Sequence, residues 1–230
     1  MSELPAAALP DGPVLGADEA GKGPVIGPMV AAAIRTDPAV LPDDVDDSKR
    51  LSPARRASIA TSLRSDPAID VGFGIVEVEE IDDPETDMNS LTVAAQVRAL
   101  AAIACEGDLA VVDAGDVIAE RFGDRVTAGL AEREITVETI AEHGADDTYP
   151  IVSAASVLAK VERDRRVGAI AAEYTGFGDV GSGYPSDPNT REFLQTYVEE
   201  HGAVPACARR SWSTCADLLD AAAQSDLSSF

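Results

Sequence analysis

Residues 16–23 read Gly-Ala-Asp-Glu-Ala-Gly-Lys-Gly (GADEAGKG), and how this stretch is read decides the fold. Seven of the eight positions fit the nucleotide-cradling pattern G-x-x-x-x-G-K-[ST]. Three features break that reading. Gly23 stands where a magnesium-holding hydroxyl belongs. Asp18 and Glu19 lie inside the loop, where each would repel a phosphate by about 1 kcal/mol or more at close range even in water. Pro24, Gly27 and Pro28 follow at once, where a helix should begin. The alternative makes the two carboxylates the point of the stretch. Neighbouring side chains on a strand point to opposite faces, so both reach one site only where the strand ends. Glycines at 21 and 23 permit that ending and let a polar ligand approach the backbone closely.

Hard divalent cations want several oxygen ligands. Further carboxylates are therefore expected at the ends of apolar strands. Asp113, in AVVDAG (110–115), is one. Asp146 or Asp147, just before YPIVSAAS (149–156), is another. For any single acid among 41 Asp and Glu, the plain alternative is a solvated surface group or a helix cap.

The whole chain has 230 residues and a formal charge of −23. The acids are spread over runs such as DDVDD, EVEEIDD and EHGADD rather than gathered in a tail, which points to a whole-surface property. Adaptation to a salt-rich cytoplasm is the expected cause. So acidic a total disfavours loose electrostatic binding of nucleic acid, but nine of the 18 basic residues fall in four short runs, which leaves room for a local basic groove. Three cysteines without a C-x-x-C pair argue against a disulfide framework or a zinc knuckle. The first residues lack a signal peptide's basic start and apolar run, and no stretch approaches the length of a membrane span. A cytoplasmic protein is expected.

Outward from the opening stretch, PVLGADEAG and VIGPMVAAAI read as two strands joined by a tight turn through 21–24. Ser52-Pro53 starts a helix running to about Leu63. IDVGFGIVEVEEI alternates as a third strand. MNSLTVAAQVRALAAIACEG is a helix, LAVVDAG a buried strand and REITVETIAEH another strand. YPIVSAASVLAKVERDRRVGAIAAEY is a long helix, DPNTREFLQTYVEEHG a capped one closing at Gly202, and RSWSTCADLLDAAAQ the last, before a frayed tail. The order suggests a mixed sheet with helices around it.

Five segments together resemble type 2 ribonuclease H, in its archaeal form. GADEAGKGP (16–24) resembles that family's G-[IV]-D-E-A-G-[RK]-G, and DSKRLS (47–52) its D-S-K-K-L. VVDAGD (111–116) resembles its third-carboxylate strand. EHGADDTYPIVSAASVLAKVERD (142–164) resembles the segment with the fourth carboxylate and the helix S-A-A-S-x-x-A-K. GSGYPSDPNTREFL (181–194) resembles its G-x-G-Y-P-S-D-P motif. The resemblance runs in the family's order from residue 14 to about 194. It departs from the pattern at Gly144, where the family usually has Lys. Register with Tyr149-Pro150 picks Asp146 over Asp147.

The resemblance implies an α/β ribonuclease H-like fold. It has a five-stranded mixed sheet flanked by helices in a catalytic domain over 1–204, and a helical C-terminal extension over 205–230. It implies endonucleolytic cleavage of the RNA strand of RNA–DNA hybrids, and cutting at ribonucleotides embedded in duplex DNA. Mg2+ or Mn2+ would be held by Asp18, Glu19, Asp113 and Asp146. Two cations would clamp the scissile phosphate and leave 3′-hydroxyl and 5′-phosphate ends. The 2′-hydroxyl separates RNA from DNA at one nucleotide, and the backbone of Gly21, Lys22 and Gly23 would read it, with Tyr184 stacking on the sugar. Ser48 and Lys49 would meet phosphates. Ser153, Ser156 and Lys160, on one helix face, would line the substrate groove, extended by Arg163. Arg209, Arg210 and Trp212 are either DNA contacts or a surface cluster with one core Trp. A monomer is expected. His143 and His201 show no nucleophile partner, so triad hydrolysis is unsupported. The sequence leaves two rivals: a nucleoside-triphosphate-binding protein using Gly16–Lys22, and a non-enzymatic acidic DNA mimic indifferent to magnesium.

Overall fold

The structure, a computed structural model, describes residues 9–42, 45 and 51–227, with no account of side chains beyond 224. It divides into two compact units. The first comprises Met1–Ala20, Val30–Ile75 and Asn89–Val161, and the second Gly21–Met29, Val76–Met88 and Glu162–Phe230.

The first unit is built on a five-stranded mixed sheet. Its strands are β1 (Val14–Ala20), β2 (Met29–Thr36), β3 (Asp70–Val76), β4 (Leu109–Asp113) and β5 (Glu138–Glu142), in the order β3-β2-β1-β4-β5. β1 runs antiparallel to β2 and parallel to β4, which is parallel to β5. The central strands are nearly all Val, Ile and Ala, as strands covered on both faces require. On one face lie α1 (Pro53–Ser65), through Ile59 and Leu63, and the start of α6 (Pro150–Glu173), through Ile151, Val152, Ala155 and Leu158. Gly16 explains itself here. A Cβ at that position would stand 2.5 Å from the Ile151 carbonyl oxygen, so the first glycine of the opening motif is a packing glycine in mid-strand, not a loop residue. α3 (Met88–Ala101) approaches β3 closely, and α4 (Ala119–Ala131) packs on β5.

The second unit has its own core. Val25 and Ile26 join Val167, Val180, Phe193, Leu194 and Val198. Its helices are α2 (Val78–Ile81), the later part of α6, α7 (Pro188–His201) and α8 (Ser213–Leu227). α7 starts as its sequence predicts: the Asp187 carboxylate accepts from Asn189 N, proline follows, and left-handed Gly202 closes the helix.

The structure changes several of the local expectations. The connection from β1 to β2 is eight residues, not a four-residue turn, because Val25 and Ile26 do not extend β2. Their N–H groups donate to Gly183 O, and Ile26 bridges Ala208. The third strand stops at Val76. Val78–Ile81 turns into a helix closed by a reciprocal capping box between Glu77 and Glu80, a short-range device that overrides the alternating pattern. Helix α4 and the four-residue α5 (Ala145–Thr148) have no counterpart in the sequence reading.

Candidate active site

Two carboxylates arise from β1 itself. Gly16 faces α6, so the period-two alternation sends Asp18 to the same face and Glu19 to the opposite one. The surroundings agree. Ser156 of α6 faces Asp18, while Gln96 of α3 donates from Nε2 to Glu19 Oε2 at 2.7 Å. Asp113 enters through register. Leu15, Gly16 and Ala17 pair with Ala110, Val111 and Val112, and the next step along both parallel strands is Asp18 beside Asp113. Asp146 arrives on α5, whose first N–H, Ala145 N, donates to Asp113 Oδ1 at 2.8 Å. A carboxylate thus caps the start of the short helix that carries the next carboxylate.

The electrostatics follow. Asp18 is 5% exposed. Burial, then the charges of Glu19 and Asp113, and more weakly Asp146, hold its carboxyl well above the usual carboxylate range. Ser156 pulls the other way through its hydroxyl. Among the described residues, however, Ser156 Oγ has no partner within hydrogen-bonding geometry, so this approach is electrostatic rather than a formed hydrogen bond. Asp18 Oδ1 accepts from Glu19 N at 2.7 Å. Asp146 is buried and acts on Asp18, whereas Asp147 is exposed; burial separates two neighbours that the sequence could rank only by register.

The donor set is all oxygen, the chemistry of a hard divalent cation. Among the described residues no three Asp, Glu, His or Cys side chains are already drawn into a closed ligand cage. Asp18 lies among the charges of Glu19, Asp113 and Asp146, while Glu19 accepts from Gln96 Nε2 and Asp113 from Ala145 N. Such a set fits a divalent ion: a cation would relieve the repulsion that raises Asp18.

Gln96 was not singled out from the sequence. It is fully buried, and the same Nε2 reaches Asp113 O at 3.0 Å. Two acceptors fix the amide's orientation, and among the described residues its Oε1 is left without a hydrogen-bond partner. A glutamine on an apolar helix face gives no sequence signal beyond its lone polarity.

Gly144 has a backbone reason. It sits at φ 67°, ψ 34° before α5, in the left-handed region that favours glycine. A Cβ there would meet nothing nearer than Asp147 Oδ2 at 3.7 Å, so backbone conformation rather than space opposes a larger residue.

Of the other predicted residues, Ser48 and Lys49 lie outside the described residues. Ser153 is fully buried and donates to Val45 O at 2.6 Å. Its hydroxyl ties α6 to the segment before α1 instead of forming part of an open polar stripe. Lys160 is half-buried, one turn beyond Ser156.

In the second unit, Gly21, Lys22 and Gly23 follow directly on β1. Tyr184 is exposed, and a Cβ at Gly23 would stand 3.8 Å from its ring. The Arg163 guanidinium lies 5.3 Å from the Tyr184 ring centroid, and its terminal nitrogen donates to Ser182 O at 2.5 Å. Arg163 is buried behind the tyrosine, so it supports Tyr184 and the Gly181–Gly183 turn rather than extending an open groove. Arg209 corrects the picture of a surface basic cluster: it is 0% exposed. Arg210 is exposed, and Trp212 half-buried.

The family model for ribonuclease HII matches residues 15–215. Ribonuclease HII of Haloarcula marismortui is 57% identical over 94% of this chain and 99% of its own. That of Halobacterium salinarum is 55% identical over 94% and 98%. Among solved structures, ribonuclease H2 from Pyrococcus horikoshii superposes with a TM-score of 0.82 at 37% identity, covering 92% of this chain and 99% of that one. The ribonuclease HII of Archaeoglobus fulgidus, solved in a complex with PCNA, gives 0.77 at 36% identity, covering 89% and 95%. A ribonuclease H-like sheet with acidic side chains converging at the shared ends of β1 and β4, matched in sequence over almost its full length, places this chain in the ribonuclease HII family, whose activity is that of a ribonuclease H.

Proposed function

We propose that this chain is an endonuclease that cuts the RNA strand of RNA–DNA hybrids and also cuts at single ribonucleotides embedded in duplex DNA, leaving 3′-hydroxyl and 5′-phosphate ends. The observation that carries the reading is the convergence of Asp18 and Glu19, from the end of β1, with Asp113 at the end of the neighbouring β4 and Asp146 on α5, whose first N–H donates to Asp113 Oδ1. Asp18, Glu19, Asp113 and Asp146 would hold Mg2+ or Mn2+. Bound there, divalent ions would supply a water of lowered pKa and charge stabilisation for the leaving 3′ oxygen.

The chain's own residues do the rest. Gln96 keeps Glu19 aimed, and Ala145 N does the same for Asp113. The buried position of Asp18 keeps its charge costly until an ion arrives, so binding and acidification oppose each other. The backbone of Gly21, Lys22 and Gly23 reads the ribose 2′-hydroxyl, and Tyr184 offers an exposed ring for the sugar. Ser48 and Lys49 are assigned to backbone phosphates, and Lys160 to the lining of the substrate groove. Residues 205–230 form the C-terminal extension of a catalytic domain over 1–204.

The formal charge of −23 and the similarity to proteins of Haloarcula and Halobacterium support work in concentrated salt; a cytoplasmic monomer is part of the proposal. No described helix is long and apolar enough to cross a membrane. Because the Archaeoglobus protein was solved with PCNA, a sliding clamp is a candidate partner here, testable by co-elution of the two purified proteins.

The decisive assay compares all-DNA, single-ribonucleotide and hybrid duplexes in concentrated potassium chloride, with and without divalent ion. Metal-dependent cutting of the last two alone is expected. Equal cutting of all three, or none of any, would remove the proposal.

A further inference from the structure

Arg209 is buried completely, yet it carries a charge: burial and the nearby Arg163 pull its pKa down to about 10, still well above neutrality. A buried cation needs hydrogen-bond acceptors. Those present are backbone carbonyls from one short segment. Nη2 donates to Gly21 O at 2.6 Å, Nη1 to Lys22 O at 3.0 Å and Nε to Gly27 O at 3.0 Å. The Trp212 ring lies 5.0 Å from the guanidinium carbon, and its Nε1 donates to Gly23 O at 3.3 Å. Three successive carbonyls, of residues 21, 22 and 23, are therefore drawn to one side by two side chains.

A trans peptide is planar, with its C=O and N–H pointing in opposite directions. Holding Gly21 O toward Arg209 aims the Lys22 N–H away from it. Holding Lys22 O does the same for the Gly23 N–H. The Gly23 carbonyl is followed by Pro24, which has no N–H to aim. The fork thus sets the direction of two consecutive donors, at Lys22 and Gly23.

Arg209 is itself held in place. Its N–H donates to Val25 O at 2.8 Å, and Gly27 N donates to Cys207 O at 2.8 Å. The Asp82 carboxylate accepts from Arg210 N at 2.8 Å, Ser211 N at 2.9 Å and Ser211 Oγ at 2.6 Å.

We propose that Arg209, with Trp212 beside it, is a positioning residue for ribose recognition: its guanidinium fixes the Gly21–Gly23 backbone so that the N–H groups of Lys22 and Gly23 present a ready-made donor pair to the 2′-hydroxyl. This rests on the reading of Gly21–Gly23 as the ribose reader. Arg suits this position better than Lys because its planar fork holds donors on three separate nitrogens in a fixed geometry, whereas a Lys ammonium carries all of its donors on one.

The test measures affinity for two duplexes of one sequence, all-DNA and single-ribonucleotide, without divalent ion so that neither is cut, at one salt concentration. The proteins are wild type, Arg209→Lys and Trp212→Phe, each with its melting temperature. Wild type should prefer the ribonucleotide duplex. Arg209→Lys should lower that preference by about tenfold, one good hydrogen bond's worth, with all-DNA affinity unchanged. Trp212→Phe keeps a ring over the guanidinium but loses the bond to Gly23 O, and should lower the preference less. A purely structural arginine would instead weaken both duplexes in parallel with the melting temperature. That result, or an unchanged preference in both variants, would overturn the assignment of Arg209 alone. A wild type with no preference would overturn the ribose-reading loop itself, and the assignment with it.

Discussion

The two units bury charge in opposite ways. In the first, an anion, Asp18, lies among other anions, and its carboxyl is held high by burial and by Glu19, Asp113 and Asp146. In the second, a cation, Arg209, lies among carbonyl oxygens that accept from three of its nitrogens. The first arrangement gathers like charge, which a divalent ion would relieve. In the second, the order that the arginine imposes on the backbone is what it contributes. Folding thus gathers like charges where chemistry needs a cation, and turns a buried charge onto the backbone where geometry needs fixing.

Substitutions should separate these two uses of charge. The largest effect is expected at the carboxylates. Asp18→Asn and Asp113→Asn should each lower cleavage of a single-ribonucleotide duplex by about a thousandfold or more, the scale of losing a central electrostatic group. Circular dichroism should remain unchanged. Without metal, Asp18→Asn should also melt higher than wild type by a few degrees at neutral pH. The sign follows from the raised carboxyl. A group whose folded pKa exceeds its unfolded one contributes stability below the unfolded value, near 4 for Asp, and loses it as pH rises through the folded value. The advantage of Asp18→Asn should therefore vanish in acid and grow as pH rises. An Asp18→Asn protein that melts lower at neutral pH would break the contrast.

Arg209→Ala should do the reverse. It strips charged donors from the carbonyls of Gly21, Lys22 and Gly27 and should destabilise the fold by about 3 kcal/mol or more, read as an earlier urea midpoint. If Asp18→Asn and Arg209→Ala shift stability in the same direction, the contrast between the two charges is wrong.

Smaller effects sharpen the first site. Gln96→Leu removes the donor to Glu19 together with an unpartnered buried oxygen. It should cost about ten- to a hundredfold in metal affinity or activity, as partners of metal ligands commonly do, with little change in melting temperature. Smallest is Gly144→Lys, which installs the family's usual residue at a left-handed position. It should cost about 1–2 kcal/mol of stability and leave cleavage within a few-fold of wild type. Calorimetry and the standard assay check both.

Most strands and helices were legible because their signals are local. Ser52-Pro53 and Asp187-Pro188 start helices where capping chemistry says they should. The central strands read as apolar runs because both faces of the sheet are covered. The misreadings have local causes too. The Glu77–Glu80 capping box bent an alternating run into α2, and Val25-Ile26 looked like strand because it is apolar, although its partners are Gly183 and Ala208. At the site, Asp18, Glu19 and Asp113 were legible as acids ending apolar strands. Gln96 and the inward turn of Arg209 were not, since neither has a local pattern to announce it.

The amino-acid order by itself determined which segments become strands and helices, and that an acidic pair sits at the end of β1, because periodicity, caps and glycines act over a few residues. Only the tertiary structure decided that Asp146 and not Asp147 faces Asp18, that Gln96 reaches Glu19, and that Arg209 points inward to the Gly21 and Lys22 carbonyls. Burial and charge pairing depend on distance through space, and the residues that set them here lie up to 188 positions apart along the chain.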